Sequence, residues 1–434
     1  GPACAEIQFE PVTLPGPSHV YDGGWEHFVG GGLAAFDCND DQLPELFAAG
    51  GENKARLFLN TSSTDQISFA EGAVPEITAV TGAYPLDLDT DGILDLYVLR
   101  VGPDVALKGL GSCQFEHATQ KFGIPTRNDW TTAFSATWEP GQARPTLAIG
   151  AYVDRSDPNG PFEACDDSTL LRPLEDGWTA TLIRPGFCTL SMLFSDWQGQ
   201  GRADLRISND RHYYVRGGYE QMFAMPELVE LGPEQGFDPV SIWGMGIASR
   251  DLNGDRRPEV MLTSMGDQLM MIAQDRGYAR APYSIGTYAT TPHAGDDGRP
   301  STGWHAQFGD VDNDGLPDLY ITKGNVDQMP GSAMADPNNL LLQKSDGTFE
   351  EASVTAGVAS DHRGRGGALL DLNGDGALDM AVVNRRAGME VWQNLGTDHG
   401  FVTIDPRQSG ANAFAIGAFV ELRRDGQATQ VVER

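Results

Sequence analysis

The 434-residue chain is poor in the residues that hold transition metals: it has eight histidines and five cysteines, with no CxxC pair and no Cys/His cluster. A zinc site is not expected. Basic residues are scarce as well, 30 Lys+Arg against 61 Asp+Glu, for a formal net charge of −31. So acidic a chain is repelled by phosphate backbones and anionic lipid, and no nucleic-acid partner is expected. No apolar run approaches the roughly 18 to 20 residues that span a bilayer, so no transmembrane segment is expected. Catalytic signatures are also missing: there is no GxSxG elbow, no HExxH and no glycine-rich phosphate loop.

What the chain has in quantity is glycine, 53 residues, and acidic turns. The turns recur. A nine-residue acidic loop followed by an apolar run appears as Asp37-Cys-Asn39-Asp-Asp41-Gln-Leu43-Pro-Glu45 before LFAAG and as Asp87-Leu-Asp89-Thr-Asp91-Gly-Ile93-Leu-Asp95 before LYVLR. It returns as Asp251-Leu-Asn253-Gly-Asp255-Arg-Arg257-Pro-Glu259 before VMLTS and as Asp310-Val-Asp312-Asn-Asp314-Gly-Leu316-Pro-Asp318 before LYITK. The last copy is Asp371-Leu-Asn373-Gly-Asp375-Gly-Ala377-Leu-Asp379 before MAVVN. Two decayed versions fill the gaps: Asp196 to Asp204, with Gln198 and Gln200 at the middle positions, and TWEPGQARPTLAIG around Trp138. Loop starts then fall at 37, 87, about 138, 196, 251, 310 and 371, which makes seven units.

Short runs of Val, Ile, Leu, Tyr and Phe punctuated by Gly, Asn and Asp read as antiparallel strands, and no long 3.6-residue period argues for helix. Units of roughly 55 residues with about four strands fit propeller blades; a solenoid is the alternative, but its rungs are usually shorter. The fold class is all-β: a seven-bladed β-propeller over 25–405, preceded by an N-terminal segment, 1–24, and followed by the start of a small C-terminal β module, 406–434.

Oxygens at loop positions 1, 3, 5 and 9, with a backbone carbonyl at position 7, converge on one point if position 6 turns sharply, as glycine allows. Crowded carboxylates repel one another unless a divalent ion sits among them, and irregular oxygen ligation favours calcium over magnesium. The expected ligands are Asp37, Asn39, Asp41, Leu43 and Glu45; Asp87, Asp89, Asp91, Ile93 and Asp95; Asp251, Asn253, Asp255, Arg257 and Glu259; Asp310, Asp312, Asp314, Leu316 and Asp318; and Asp371, Asn373, Asp375, Ala377 and Asp379. That is about five Ca2+ sites, with a weaker one at Asp196/Asp204. Loops 37 and 251 carry Gln42 and Arg256 in place of the glycine, which leaves their turn geometry open. An EF-hand fits poorly, because a strand follows each loop directly and no helix flanks it.

These loops resemble the FG-GAP, or VCBS, repeats of integrin α-subunit propellers, in which the acidic loop joins the first two strands of a blade and binds calcium. The tail, NAFAIGAFVEL followed by DGQ, is similar to the opening of the ASPIC/UnbV module of cartilage acidic protein relatives.

The longest irregular stretches, 154–179, 286–303 and 325–338, fall after the second strand of a blade or between blades, so they gather on the face opposite the acidic loops. Loops on rigid scaffolds are where binding usually resides. Candidate contacts on that face are Trp130 with Asp129, His305 with Trp304, His362 with Arg363 and Arg365, and Arg385 with Arg386. The reading that follows is a secreted, periplasmic or cell-surface calcium-binding module that recognises an extracellular protein or a glycan, as adhesion proteins do. The alternative is a calcium-dependent enzyme, either a polysaccharide lyase using Tyr213 and Tyr214 near His212 and Arg216, or a protein of natural-product processing. A third view makes calcium itself the signal. Among the cysteines, Cys165 and Cys188 are expected to pair across an insertion, while Cys4 could pair with Cys38 or Cys113 or mark a lipid-anchored N-terminus.

Overall fold

Runs such as LYVLR and LYITK do not alternate apolar with polar residues, so as strands they must be covered on both faces. They are. In the computed structural model, which describes residues 6–211, 216–288, 301–329, 333–396, 399–427 and 429–434, each run is the second strand of a four-stranded antiparallel sheet. Asp318–Lys323 and Asp379–Asn384 are buried along their whole length. Seven such sheets form the blades, beginning with Leu33–Phe36, Val80–Leu86, Thr131–Thr137, Thr189–Ser195, Gly244–Arg250, Gly303–Gly309 and Gly364–Leu370. The only α-helix among the described residues is the single turn Ser353–Ala356.

The first strands converge at the axis, and small residues permit it. A Cβ on Gly32 would lie 2.8 Å from the Cα of Gly82, and one on Gly366 would lie 2.8 Å from the Cα of Gly32, so three neighbouring blades touch backbone to backbone. Threonine hydroxyls then stitch blade to blade. Thr132 donates to the Thr189 carbonyl at 2.6 Å and Thr263 to that of Trp304 at 2.6 Å. Apolar clusters fill the wedges between sheets, for example Ala306, Phe308, Leu319 and Ile321 of blade 6 against Ala248, Met261 and Met270 of blade 5.

The ring closes with a strand that the sequence had set apart. Phe9–Pro11 lies within 1–24, yet it pairs with Glu390–Asn394 as the outer strand of blade 7, Phe9 opposite Asn394 and Pro11 opposite Trp392. Three residues without a flanking turn motif give no periodic signal. After blade 7 the chain forms the hairpin Phe419–Leu422 with Gln430–Glu433, which lies on the acidic-loop face: Val431 bridges to Asp251, and Glu433 accepts from Ser195 Oγ at 2.6 Å and from the Asp196 N–H at 2.8 Å.

Two disulfides join Cys165 with Cys188 and Cys38 with Cys113. The first is the expected pair. The second corrects the pairing considered for Cys4, which lies outside the described residues: the turn between the last two strands of blade 2 reaches the neighbouring acidic loop on the same face, so Cys38 and Cys113 meet across 75 residues.

Closure by the N-terminal strand predicts that Phe9→Ala lowers unfolding stability by about 3 kcal/mol, the usual cost of truncating a buried phenylalanine. Val354→Ala, on an exposed side chain, changes it by less than about 0.5 kcal/mol. Urea unfolding of both variants checks this.

Candidate metal loops and partner cleft

All seven repeat loops, intact or decayed, join the first strand of a blade to its second. The six that begin with Asp share one backbone. The first Asp accepts the N–H of position 6, from Gln42 at 2.8 Å, Gly92 at 2.9 Å, Gly201 at 2.6 Å, Arg256 at 2.6 Å, Gly315 at 2.9 Å and Gly376 at 2.9 Å. In the five intact copies the Asp at position 5 accepts the N–H of position 7, from Leu43, Ile93, Arg257, Leu316 and Ala377 at 2.8 to 2.9 Å. Two residues per loop are left-handed. Position 6 has φ from 66 to 96°, and Gln42 and Arg256 adopt it despite their side chains. Position 4 does the same at Asp40, Thr90, Gly199, Gly254, Asn313 and Gly374. The turn missing its glycine is therefore built all the same, at a conformational cost of about 1–2 kcal/mol.

The ninth residue opens the second strand and is buried in every intact loop. In all of them but Glu259 its carboxylate braces two backbones. One oxygen takes the N–H of loop position 2, as Asp318 does from Val311 at 2.9 Å and Asp379 from Leu372 at 2.8 Å. The other takes an N–H at the end of the third strand, from Gln343 at 2.9 Å and Asn394 at 2.8 Å respectively. Burial pushes these acids up, Asp318 to about 9 with Asp312 adding repulsion, Asp379 to about 8, and Glu45, Asp95 and Glu259 to about 7.

The residues fit a divalent cation best in two places. Carboxylate oxygens of Asp87, Asp89 and Asp95, and likewise of Asp310, Asp312 and Asp318, all lie within 4.8 Å of one another. In the first set, Asp87 Oδ1 and Asp89 Oδ1 are buried without a hydrogen-bond partner, which is what oxygens aimed at an ion look like. Where position 3 is Asn, its amide turns donor instead: Asn39 to Asp41 at 2.9 Å, Asn253 to Glu259 at 3.3 Å and Asn373 to Asp375 at 3.1 Å. In the decayed fourth loop the indole of Trp197 donates to Asp204 at 2.8 Å. The third loop has lost its acidic series.

On the opposite face a cleft of about 1090 Å³ opens between residues 24–27, the segment before blade 3 and the 154–166 insertion. Trp130 and Asp129 both line it. Trp130 is buried, packs edge-on against Trp25 with ring centroids 4.9 Å apart, and leaves its Nε1 without a partner. Trp25 is 40% exposed. Arg127 bridges Asp129 at 3.3 Å and Asp166 at 3.0 Å, and Arg155 holds Glu26 at 2.5 Å. Burial, with Asp166 nearby, raises Asp129 to about 6. The Cys165–Cys188 disulfide fastens the insertion to the start of blade 4. Trp25 and Glu26 were not singled out from the sequence, because their segment carries no repeat signature.

The other candidates are placed elsewhere. Arg365 is buried over the Trp304 ring at 4.1 Å and donates to the carbonyls of Phe28 and Gly324, while Arg385 is buried against Asp327 at 3.0 Å. Both are internal braces. His305 is held low, to about 4, by burial at the axis. His362 sits beside Glu390 at 3.5 Å. His212, Tyr213 and Tyr214 lie outside the described residues, and Arg216 faces Glu163.

Among known proteins, the FG-GAP-like repeat family matches residues 37–98. Over 67 residues the chain is 40% identical to cartilage acidic protein 1 of Homo sapiens, a stretch that covers 15% of this chain and 10% of that protein. Two crystal structures of BBS1N in complex with ARL6DN, soaked with lead and with mercury, superpose with TM-scores of 0.52 and 0.51 at 8% identity, over 90% and 93% of this chain and 98% and 99% of those chains. That likeness is one of fold alone.

The left-handed turn predicts that Gln42→Gly stabilises the chain by about 1 kcal/mol. Gly92→Ala, where an added Cβ meets nothing within 4 Å, destabilises it by about 1–2 kcal/mol through conformation alone. Chemical unfolding of both variants reads the effect.

Proposed function

We propose, from the premise that the chain is an FG-GAP β-propeller of the ASPIC/UnbV type, that it is an extracellular or periplasmic recognition module stabilised by calcium at its acidic loops. The partner on this reading is a protein that presents a basic segment to the cleft beside Trp25. The observation that carries it is the cleft itself. Its rigid wall is held by a disulfide, so little ordering cost is left for binding. Six carboxylates line it, those of Glu26, Glu52, Asp129, Asp154, Asp157 and Asp166, against Arg127 and Arg155. The exposed face of Trp25 offers a seat for a partner's Lys or Arg, and a net charge of −31 draws basic surfaces from a distance. BBS1N was crystallised with a protein partner, which fits the use of a propeller as a docking platform. Two disulfides and millimolar extracellular calcium agree with loops of weak affinity outside the cytosol. No helix among the described residues is long and apolar enough to cross a membrane.

For the loops, Asp314→Ala is expected to lower the melting temperature in calcium and to change it little in excess chelator, where only the bond from the Leu316 N–H is lost. Equal losses in both conditions contradict a metal role for that loop. For the cleft, an array of extracellular proteins and glycans probed with the whole chain is expected to return basic proteins. Their binding should weaken about tenfold or more with Trp25→Ala, the scale of an aromatic hot spot, and should weaken with added salt. Hits that are glycans, or that ignore both changes, contradict the reading.

A further inference from the structure

Loops 87 and 310 carry the same ligand set, four Asp residues and a Gly at position 6, yet the structure surrounds them differently. The residue after the ninth loop position pairs with the third strand, Leu96 with Leu107, Leu147 with Leu171 and Leu319 with Leu341. The next third-strand residue therefore stands beside the ninth position. In blade 6 it is Leu342; in blades 2 and 3 it is Lys108 and Arg172.

Blade 3 shows what a cation there does. Its loop keeps one acid, Glu139, which Arg172 binds through Nε at 2.8 Å and to which Thr146 donates at 2.7 Å. The guanidinium fills the loop that has lost its ligands. In blade 2 the full acidic set remains, and Lys108 Nζ nonetheless reaches Asp89 Oδ2 and, at 2.5 Å, Asp91 Oδ2, with its side chain only 14% exposed. Meanwhile Asp87 Oδ1 and Asp89 Oδ1 stay buried and unpartnered. The ammonium thus occupies Asp89, one of the three carboxylates that would hold an ion.

Resting on the calcium reading of the loops, we propose that Lys108 is a tethered cation that competes with the divalent ion for the blade 2 loop, so that this site is weaker than the blade 6 site, which has the same side-chain ligands. A divalent ion among Asp87, Asp89 and Asp95 repels a nearby ammonium, so Lys108 must swing out when the ion binds and its two ion pairs are lost. In the absence of metal the same contacts keep the blade 2 loop closed. Blades 2 and 3, adjacent in the ring, thus hold their loops with side-chain cations.

Isothermal titration of calcium into the whole chain tests this. Lys108→Met is expected to tighten one site on the order of tenfold and to lower the melting temperature in chelator, where Asp89 and Asp91 then face each other uncompensated. The reciprocal change Leu342→Lys, at a half-buried position, is expected to weaken one site by a similar factor, and it keeps the proposal testable if Lys108→Met does not fold. Unchanged affinities in a folded variant overturn the proposal while calcium binding itself stands. A parent chain that binds no calcium overturns the reading of the loops and the competition with it, whereas calcium binding that Lys108→Met and Leu342→Lys both leave unchanged overturns the competition alone.

Discussion

Each intact blade depends on a carboxylate buried at the head of its central strand. Glu45, Asp95, Glu259, Asp318 and Asp379 take an N–H from their own loop, and Glu45, Asp95, Asp318 and Asp379 also take one from the third strand. The brace fixes loop, second strand and third strand at one point. It also buries charge beside further acids, which is unfavourable unless the acid is protonated or a cation is near. The blades answer this differently: three intact loops turn an asparagine amide onto the cluster, blade 2 adds an ammonium, blade 3 replaces most of the acids with a guanidinium pair, and blade 4 turns an indole onto Asp204.

That chemistry divides the ring into two faces. On the acidic-loop side, the Cys38–Cys113 bridge and the C-terminal hairpin bear on the loops themselves, Glu433 meeting loop 196, and Glu421 pairing with Arg256 of loop 251. This surface is occupied with holding the ring together. The opposite side receives the connections after second strands and between blades, which are free to lengthen because no brace constrains them. The cleft beside Trp25 and Trp130 arises there, between an insertion and the segment that leads into blade 1.

Much of this was legible in the chain. Acidic loops at a spacing of 50 to 61 residues disclose the blade count, and the unalternating runs after them disclose central strands, because both signals are local. The expected Cys165–Cys188 pair is local in the same sense. What the sequence hid depends on neighbours far away in it: Phe9–Pro11 completing blade 7, Cys38 meeting Cys113 of the next blade, and Trp25 leaning on Trp130. The left-handed residue at loop position 4 was hidden for another reason, since Asp40, Thr90 and Asn313 adopt it alongside glycines and no single residue type marks it. Lys108 looks like any strand lysine until register sets it beside Asp89.

The central claim is that these loops close around divalent ions, and counting the ions tests it most directly. Native mass spectrometry of the intact chain, exchanged into millimolar calcium, is predicted to show a series of adducts reaching about five calcium ions per chain, stripped by chelator. A single metal-free mass at every calcium concentration, from a chain that remains folded, contradicts the account.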